Sequence, residues 1–155
     1  MARVNVGVDP KRLTDQHLIA ESVEITMITG GLRKNGYLIK SPIPEQFGLG
    51  TGHINFFKNK IAYLKARLLE VNLELDERGI RNSTVIDLAE FPSHLHGHEF
   101  KFPLMRDSRI VRERICDRLI NPRKAKPGFH RYCKKPIEDM KKFAEDLMNS
   151  PLYHV

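Results

Sequence analysis

A chain of 155 residues with 41% hydrophobic content is long enough to bury one core and too short for two comfortable ones, which predicts a single compact domain. A formal charge of +7 and a pI near 9.5 fit a polyanionic partner or an anionic surface. Only Cys116 and Cys133 are present, without CxxC spacing, which argues against a disulfide framework or a cysteine-based zinc site and predicts two reduced thiols in a cytoplasmic protein. No apolar run reaches the roughly 18 residues of a membrane span, and the N-terminus lacks the apolar centre of a secretory signal.

The chain opens on Met1-Ala2-Arg3-Val4-Asn5. The small second residue favours removal of Met1, which would leave the α-amine of Ala2 as a weakly basic nucleophile. A first helix is predicted from Thr14 or Asp15, both good caps, to a stop at Asn35-Gly36. Leu18, Ser22, Ile25, Thr29 and Leu32 share its inner face, while His17, Glu21 and Glu24 stand at i, i+4 and i+7 on a polar stripe. Such a stripe is either a solvated face or a rigid support for a carboxylate at the edge of a site. Ser41-Pro42-Ile43-Pro44 forbids helix, and Gly48-Leu49-Gly50-Thr51-Gly52 reads as a turn rather than a phosphate loop, because no strand precedes it.

Phe57, Ile61, Leu64, Leu68, Val71 and Leu75 alternate steps of four and three and predict a second, core-facing helix that ends at Gly79. Thr84-Val85-Ile86 is an extended piece too short to imply a sheet. His94, His96 and His98 alternate as zinc or nickel ligands on a strand would, but only Glu99 joins them, so an ordinary loop without metal is expected. A third helix is predicted from about Met105 to Ile120, with Val111, Ile115 and Leu119 inward and its arginines outward. From Arg106 to Lys135 basic residues far outnumber acidic ones, as on a solvated face or a polyanion footprint. Pro136 suits the first position of a fourth helix with Glu138 and Asp139 in its first turn and Ile137, Met140, Phe143, Ala144 and Leu147 as its apolar stripe. The expected architecture is mainly α: three principal helices with long loops over residues 1–135, then an accessory helix and tail over 136–155.

The run Asp15-Gln16-His17-Leu18 with Ala20-Glu21 and Glu24, then Arg33-Lys34, Gly50-Thr51-Gly52-His53 and Phe56-Phe57, resembles the phage pyrimidine-dimer DNA glycosylases, also called endonuclease V, over about residues 1–135. The resemblance implies a DNA repair glycosylase with abasic-site lyase activity that uses neither metal nor cofactor. The amine of Ala2 would attack C1′ of a damaged nucleotide, Glu24 would be the catalytic glutamate, and β-elimination through an imine would break the strand. It places Arg3, Gln16, His17, Arg33 and Lys34 near DNA, matches Arg114 and Arg118 to a basic pair on the third helix, and matches Phe129-His130-Arg131-Tyr132 to an aromatic, basic tail, so that His130 and Arg131 join the DNA contacts.

This chain departs from that pattern at Ala2, where the family has threonine, at His130, where it has tyrosine, and at Val23 and Met27, where it has arginines flanking the glutamate. The expected partner is damaged double-stranded DNA, bound by a monomer in the cytoplasm. The competing reading is a DNA-binding relative that is non-catalytic or retargeted.

Overall fold

Thr14 starts the longest helix: its backbone is extended (φ −68°, ψ 161°), and its hydroxyl accepts the N–H of His17 at 3.1 Å, satisfying one of the orphan donors of the first turn. The computed structural model describes residues 3–98 and 104–155; Ala2 and Glu99 lie outside them. Helix α1 (Asp15–Lys34) stops at Asn35 in a Schellman arrangement, with Gly36 at φ 65° and the Tyr37 N–H returned to the Leu32 carbonyl at 2.8 Å. The inner face expected from the sequence is buried at every position: Leu18, Ser22, Ile25, Thr29 and Leu32.

The polar stripe is not a solvated face. Glu21 and Glu24 are both buried. Glu21 receives Arg67 Nε at 2.7 Å and Nη2 at 3.0 Å, and Asn5 Nδ2 at 2.9 Å, while Arg67 Nη1 donates to the Val8 carbonyl at 2.6 Å. This ion pair has no solvent exposure on either side chain. It joins α1 to the helix that carries Arg67 and to the N-terminal segment, whose Val4, Val6 and Val8 lie in the core.

The helix expected to include Phe57 is two helices, α2 (His53–Phe57) and α3 (Ile61–Glu77). The step of four from Phe57 to Ile61 conceals the break, which occurs because Lys60 leaves helical geometry (φ −127°, ψ 43°) and its backbone bridges to His96. Tyr63 and Gly97 continue that contact, the Tyr63 N–H donating to the Gly97 carbonyl at 3.2 Å. Helix α3 stops at Arg78-Gly79 as expected.

Helix α4 (Leu104–Ile120) buries Val111, Ile115 and Leu119, but its arginines do not all face out: Arg112 is buried. Pro136 does not open a helix. Arg131–Tyr132 (β1) and Lys135–Pro136 (β2) form a small antiparallel hairpin in which Arg131 pairs with Pro136. Helix α5 (Met140–Asn149) starts later, capped by Asp139, which accepts the Lys142 N–H at 3.0 Å, and packs against α4 through Ala144 and Leu147. The molecule is mainly α, and the extra strands and short turns do not change that class. No helix among the described residues is long and apolar enough to cross a membrane.

Candidate active site

The start of α1 organises the site by holding the basic tail. Cys133 and Lys134, the two turn residues of the hairpin, have φ of 48° and 67°, the left-handed geometry that a two-residue turn of this hand requires. The Asp15 carboxylate accepts both of their N–H groups, at 3.0 and 2.7 Å, and also Arg78 Nη1 at 2.9 Å. Arg78 in turn binds Glu74 at 2.9 Å and lies over the Tyr132 ring with its guanidinium carbon 4.0 Å from the centroid. Gln16 adds an acceptor for the Arg131 N–H at 2.8 Å. Residues distant in sequence are thereby fixed beside the first turns of α1.

This docking closes one side of a cavity of about 240 Å³ lined by Arg3, Asn5, Gln16, His17, Ala20, Arg114, Arg118, Phe129 and His130. Six residues singled out from the sequence meet there. His17 and His130 stack at 5.4 Å between centroids and 7° between planes, and Phe129 meets His130 edge-on. His17 Nδ1 shares a 2.7 Å hydrogen bond with the Thr14 hydroxyl, whereas His130 Nδ1 is buried and has no hydrogen-bond partner among the described residues. Burial, then His130, Arg114 and Arg118, push the His17 imidazole down to about 3, and burial together with Arg118 lowers that of His130. Both rings are neutral near pH 7. The cations crowd one another: burial, Arg118 and Arg3 bring the Arg114 guanidinium down to about 10. A cavity of this kind carries a positive potential that an anion relieves.

Glu24 lies one helical turn beyond Ala20. Its Oε1 is buried without a hydrogen-bond partner among the described residues and stands 3.9 Å from Arg3 Nη1. Burial raises its carboxyl above the ordinary range, opposed by Arg3 and Arg114. Arg3 is itself oriented by its Nε, which donates to the Leu49 carbonyl at 3.0 Å.

His53, named above only as part of the Gly50-Thr51-Gly52-His53 run, is a positioning group. Its Nδ1 lies 2.9 Å from the Gly48 carbonyl, and its Nε2 accepts the Val4 N–H at 3.0 Å, so the neutral ring must carry its hydrogen on Nδ1. A histidine directly after a glycine-rich turn was the available signal. Burial pulls the ring down to about 4. Because the neutral form is favoured by folding, its contribution to stability is complete above the unfolded pKa near 6.5 and is lost as the pH falls from there towards 4; for His17 the loss extends towards 3. Thermal unfolding followed by circular dichroism should therefore show a falling midpoint from pH 6.5 to 4, with a shallower slope in His53→Gln. An identical slope in that variant would contradict the assignment.

Arg33 and Lys34 are not brought to the cavity. Nine residues beyond Glu24, about 13 Å along the helix, Arg33 pairs with Glu90 through Nε at 2.6 Å and Nη2 at 2.9 Å, and Tyr37 donates to the same carboxylate at 2.9 Å. Lys34 is exposed at the end of α1, and Arg131 is exposed on the hairpin. Val23 and Met27, 49% and 56% exposed, lay an apolar strip beside Glu24. Of the histidine run, His96 Nε2 lies 2.8 Å from the Phe91 carbonyl and the His98 ring packs on Tyr63; no group of three or more potential metal ligands occurs among the described residues.

Compared with known families, residues 1–88 match the profile of the pyrimidine dimer DNA glycosylases. That span contains the N-terminal segment, α1, α2 and α3, and therefore Arg3, Glu24 and His53. Arg114, Arg118 and the hairpin lie beyond it.

Proposed function

We propose, from the premise that this chain belongs to the pyrimidine dimer DNA glycosylase family, that it is a repair glycosylase and abasic-site lyase whose nucleophile is the α-amine of Ala2 and whose catalytic carboxylate is Glu24. One observation carries the reading: a buried carboxyl whose Oε1 has no hydrogen-bond partner among the described residues lies beside Arg3, the first described residue of the N-terminal segment, at the edge of a cationic cavity.

At a damaged nucleotide the amine adds to C1′ as the glycosidic bond breaks, with the bonding pair leaving on the base; the C1′–O4′ bond then opens as the nitrogen loses a proton and O4′ gains one. At a ready-made abasic site the amine adds to the C1′ aldehyde and water departs. Either route gives an imine. Removal of a proton from C2′ then expels the 3′ phosphate-bearing strand by cleavage of the C3′–O bond, and water hydrolyses the unsaturated imine to restore the amine. An α-amine, with a reference pKa of about 7.7–8.0, is partly neutral at physiological pH, whereas an ordinary lysine near 10.4 is not. Glu24, held above the usual carboxylate range by burial, suits the proton transfers of these steps. Arg3, His17, Gln16, Arg114, Arg118, His130 and Arg131 are assigned to the DNA backbone around the reacting sugar, with Arg33 and Lys34 on a more distant part of the duplex, as a monomer would present them.

Arg118 is exposed at the cavity rim, and a direct phosphate contact there contributes about −0.9 to the slope of log K against log salt. Arg118→Ala should make the slope shallower by about one unit in a salt titration of duplex binding; an unchanged slope removes Arg118 from the footprint.

Val23 and Met27 favour a retargeted specificity within the same chemistry. Extruding a nucleotide costs a few kcal/mol that phosphate contacts must offset, and these two side chains supply none. Cleavage of matched duplexes containing a pyrimidine dimer or an abasic site tests this: the abasic site should be processed better, and Val23→Arg with Met27→Arg should raise dimer excision more than abasic cleavage. Efficient dimer excision by the native chain, unaffected by the double replacement, would overturn this specificity.

A further inference from the structure

The segment that leads to Ala2 is gripped by the other end of the chain. Gly7 runs so close to α4 and to the C-terminal tail that a Cβ there would fall 2.6 Å from Ser108 Cβ and 2.8 Å from Leu152 Cδ1. Its carbonyl accepts the Tyr153 N–H at 3.0 Å and Arg112 Nη2 at 3.0 Å. The buried Arg112 also donates to the carbonyls of Leu147 at 2.9 Å, Ser150 at 2.6 Å and Pro151 at 3.1 Å, so one guanidinium collects the end of α5, the tail and the N-terminal segment. Tyr153 anchors the tail to α3 by donating its hydroxyl hydrogen to Glu70 at 2.7 Å.

From this geometry we infer that Leu152 and Tyr153 are positioning residues for the N-terminal amine, and that residues 150–153 form a strap that holds the segment in register with Glu24. The inference rests on the function proposed above. Val4 is held at His53 and Asn5 at Glu21, while Val6, the one residue between Asn5 and Gly7, keeps two soft backbone dihedrals. Fixing Gly7 as well confines the segment at both ends. The strap, residues 150–153, lies beyond residues 1–88, the span that matches the family.

The test is the single-turnover rate of borohydride-trapped adduct on a duplex with one abasic site, at saturating protein and at a temperature where each variant is folded by circular dichroism. Tyr153→Pro removes the N–H on Gly7 and the hydroxyl on Glu70 together, Leu152→Ala removes the side chain over Gly7, and Tyr153→Phe removes the hydroxyl alone. Tyr153→Pro should slow trapping about tenfold or more, Leu152→Ala by less, and Tyr153→Phe least, with duplex affinity unchanged and faster amide exchange at Val4. Should Tyr153→Pro not fold, Leu152→Ala carries the comparison. Folded variants that trap at the native rate would overturn the strap, whereas native protein that traps nothing would overturn the amine mechanism instead.

Discussion

Glu24→Gln should lower single-turnover cleavage at an abasic site by about 10²–10⁴-fold while leaving duplex affinity and the unfolding midpoint nearly unchanged. The amide keeps the shape of the side chain in its buried position and removes both the charge and the ability to exchange a proton. Because Glu24 Oε1 makes no hydrogen bond among the described residues, the substitution breaks none there; it removes the 3.9 Å attraction to Arg3. Near-native turnover, measured by gel separation of the cleaved strand, would reduce Glu24 to a passive member of the helix interior.

The neighbouring acid, Glu21, should behave in the opposite way. Arg67→Met removes the partner of a fully buried carboxylate and should destabilise the fold by about 3–5 kcal/mol, a large share of the 5–15 kcal/mol typical of a domain. Replacing both, with Glu21→Leu and Arg67→Met, should recover much of that loss, since no charge is then left unpaired. Recovery should be incomplete because Asn5 and the Val8 carbonyl lose their partners, at about 1 kcal/mol each. Urea unfolding of the single and double variants checks both statements. A double variant no more stable than Arg67→Met alone would mean that the hydrogen bonds to the N-terminal segment, rather than the charges, hold this part of the core.

These two glutamates mark where the sequence could be read and where it could not. The period of α1 identified its inner face, and Thr14 and Gly36 marked its ends, because capping and hydrophobic spacing are local properties. For Glu21 and Glu24 the spacing leaves both a solvated face and a support for a site open, since what covers the stripe comes from α3, from the N-terminal segment and from α4, distant in sequence. The same limit applies to Arg112, whose helical position faces α5 rather than water, and to Lys60, whose backbone is claimed by His96. The cavity residues were legible through family resemblance, which named Arg3, Gln16, His17, Arg114, Arg118 and His130 without indicating what holds them together. Asp15 does so, by accepting the turn amides of the hairpin. Resemblance also grouped Arg33 and Lys34 with the site, although helix geometry alone sets them about 13 Å past Glu24.

Whether an N-terminal amine acts beside Glu24 is decided by trapping the adduct on abasic duplex DNA with borohydride, digesting it and locating the crosslinked peptide by mass spectrometry. The crosslink is expected on the N-terminal peptide, at the α-amine of Ala2 after removal of Met1. A crosslink confined to a lysine side chain would contradict this mechanism.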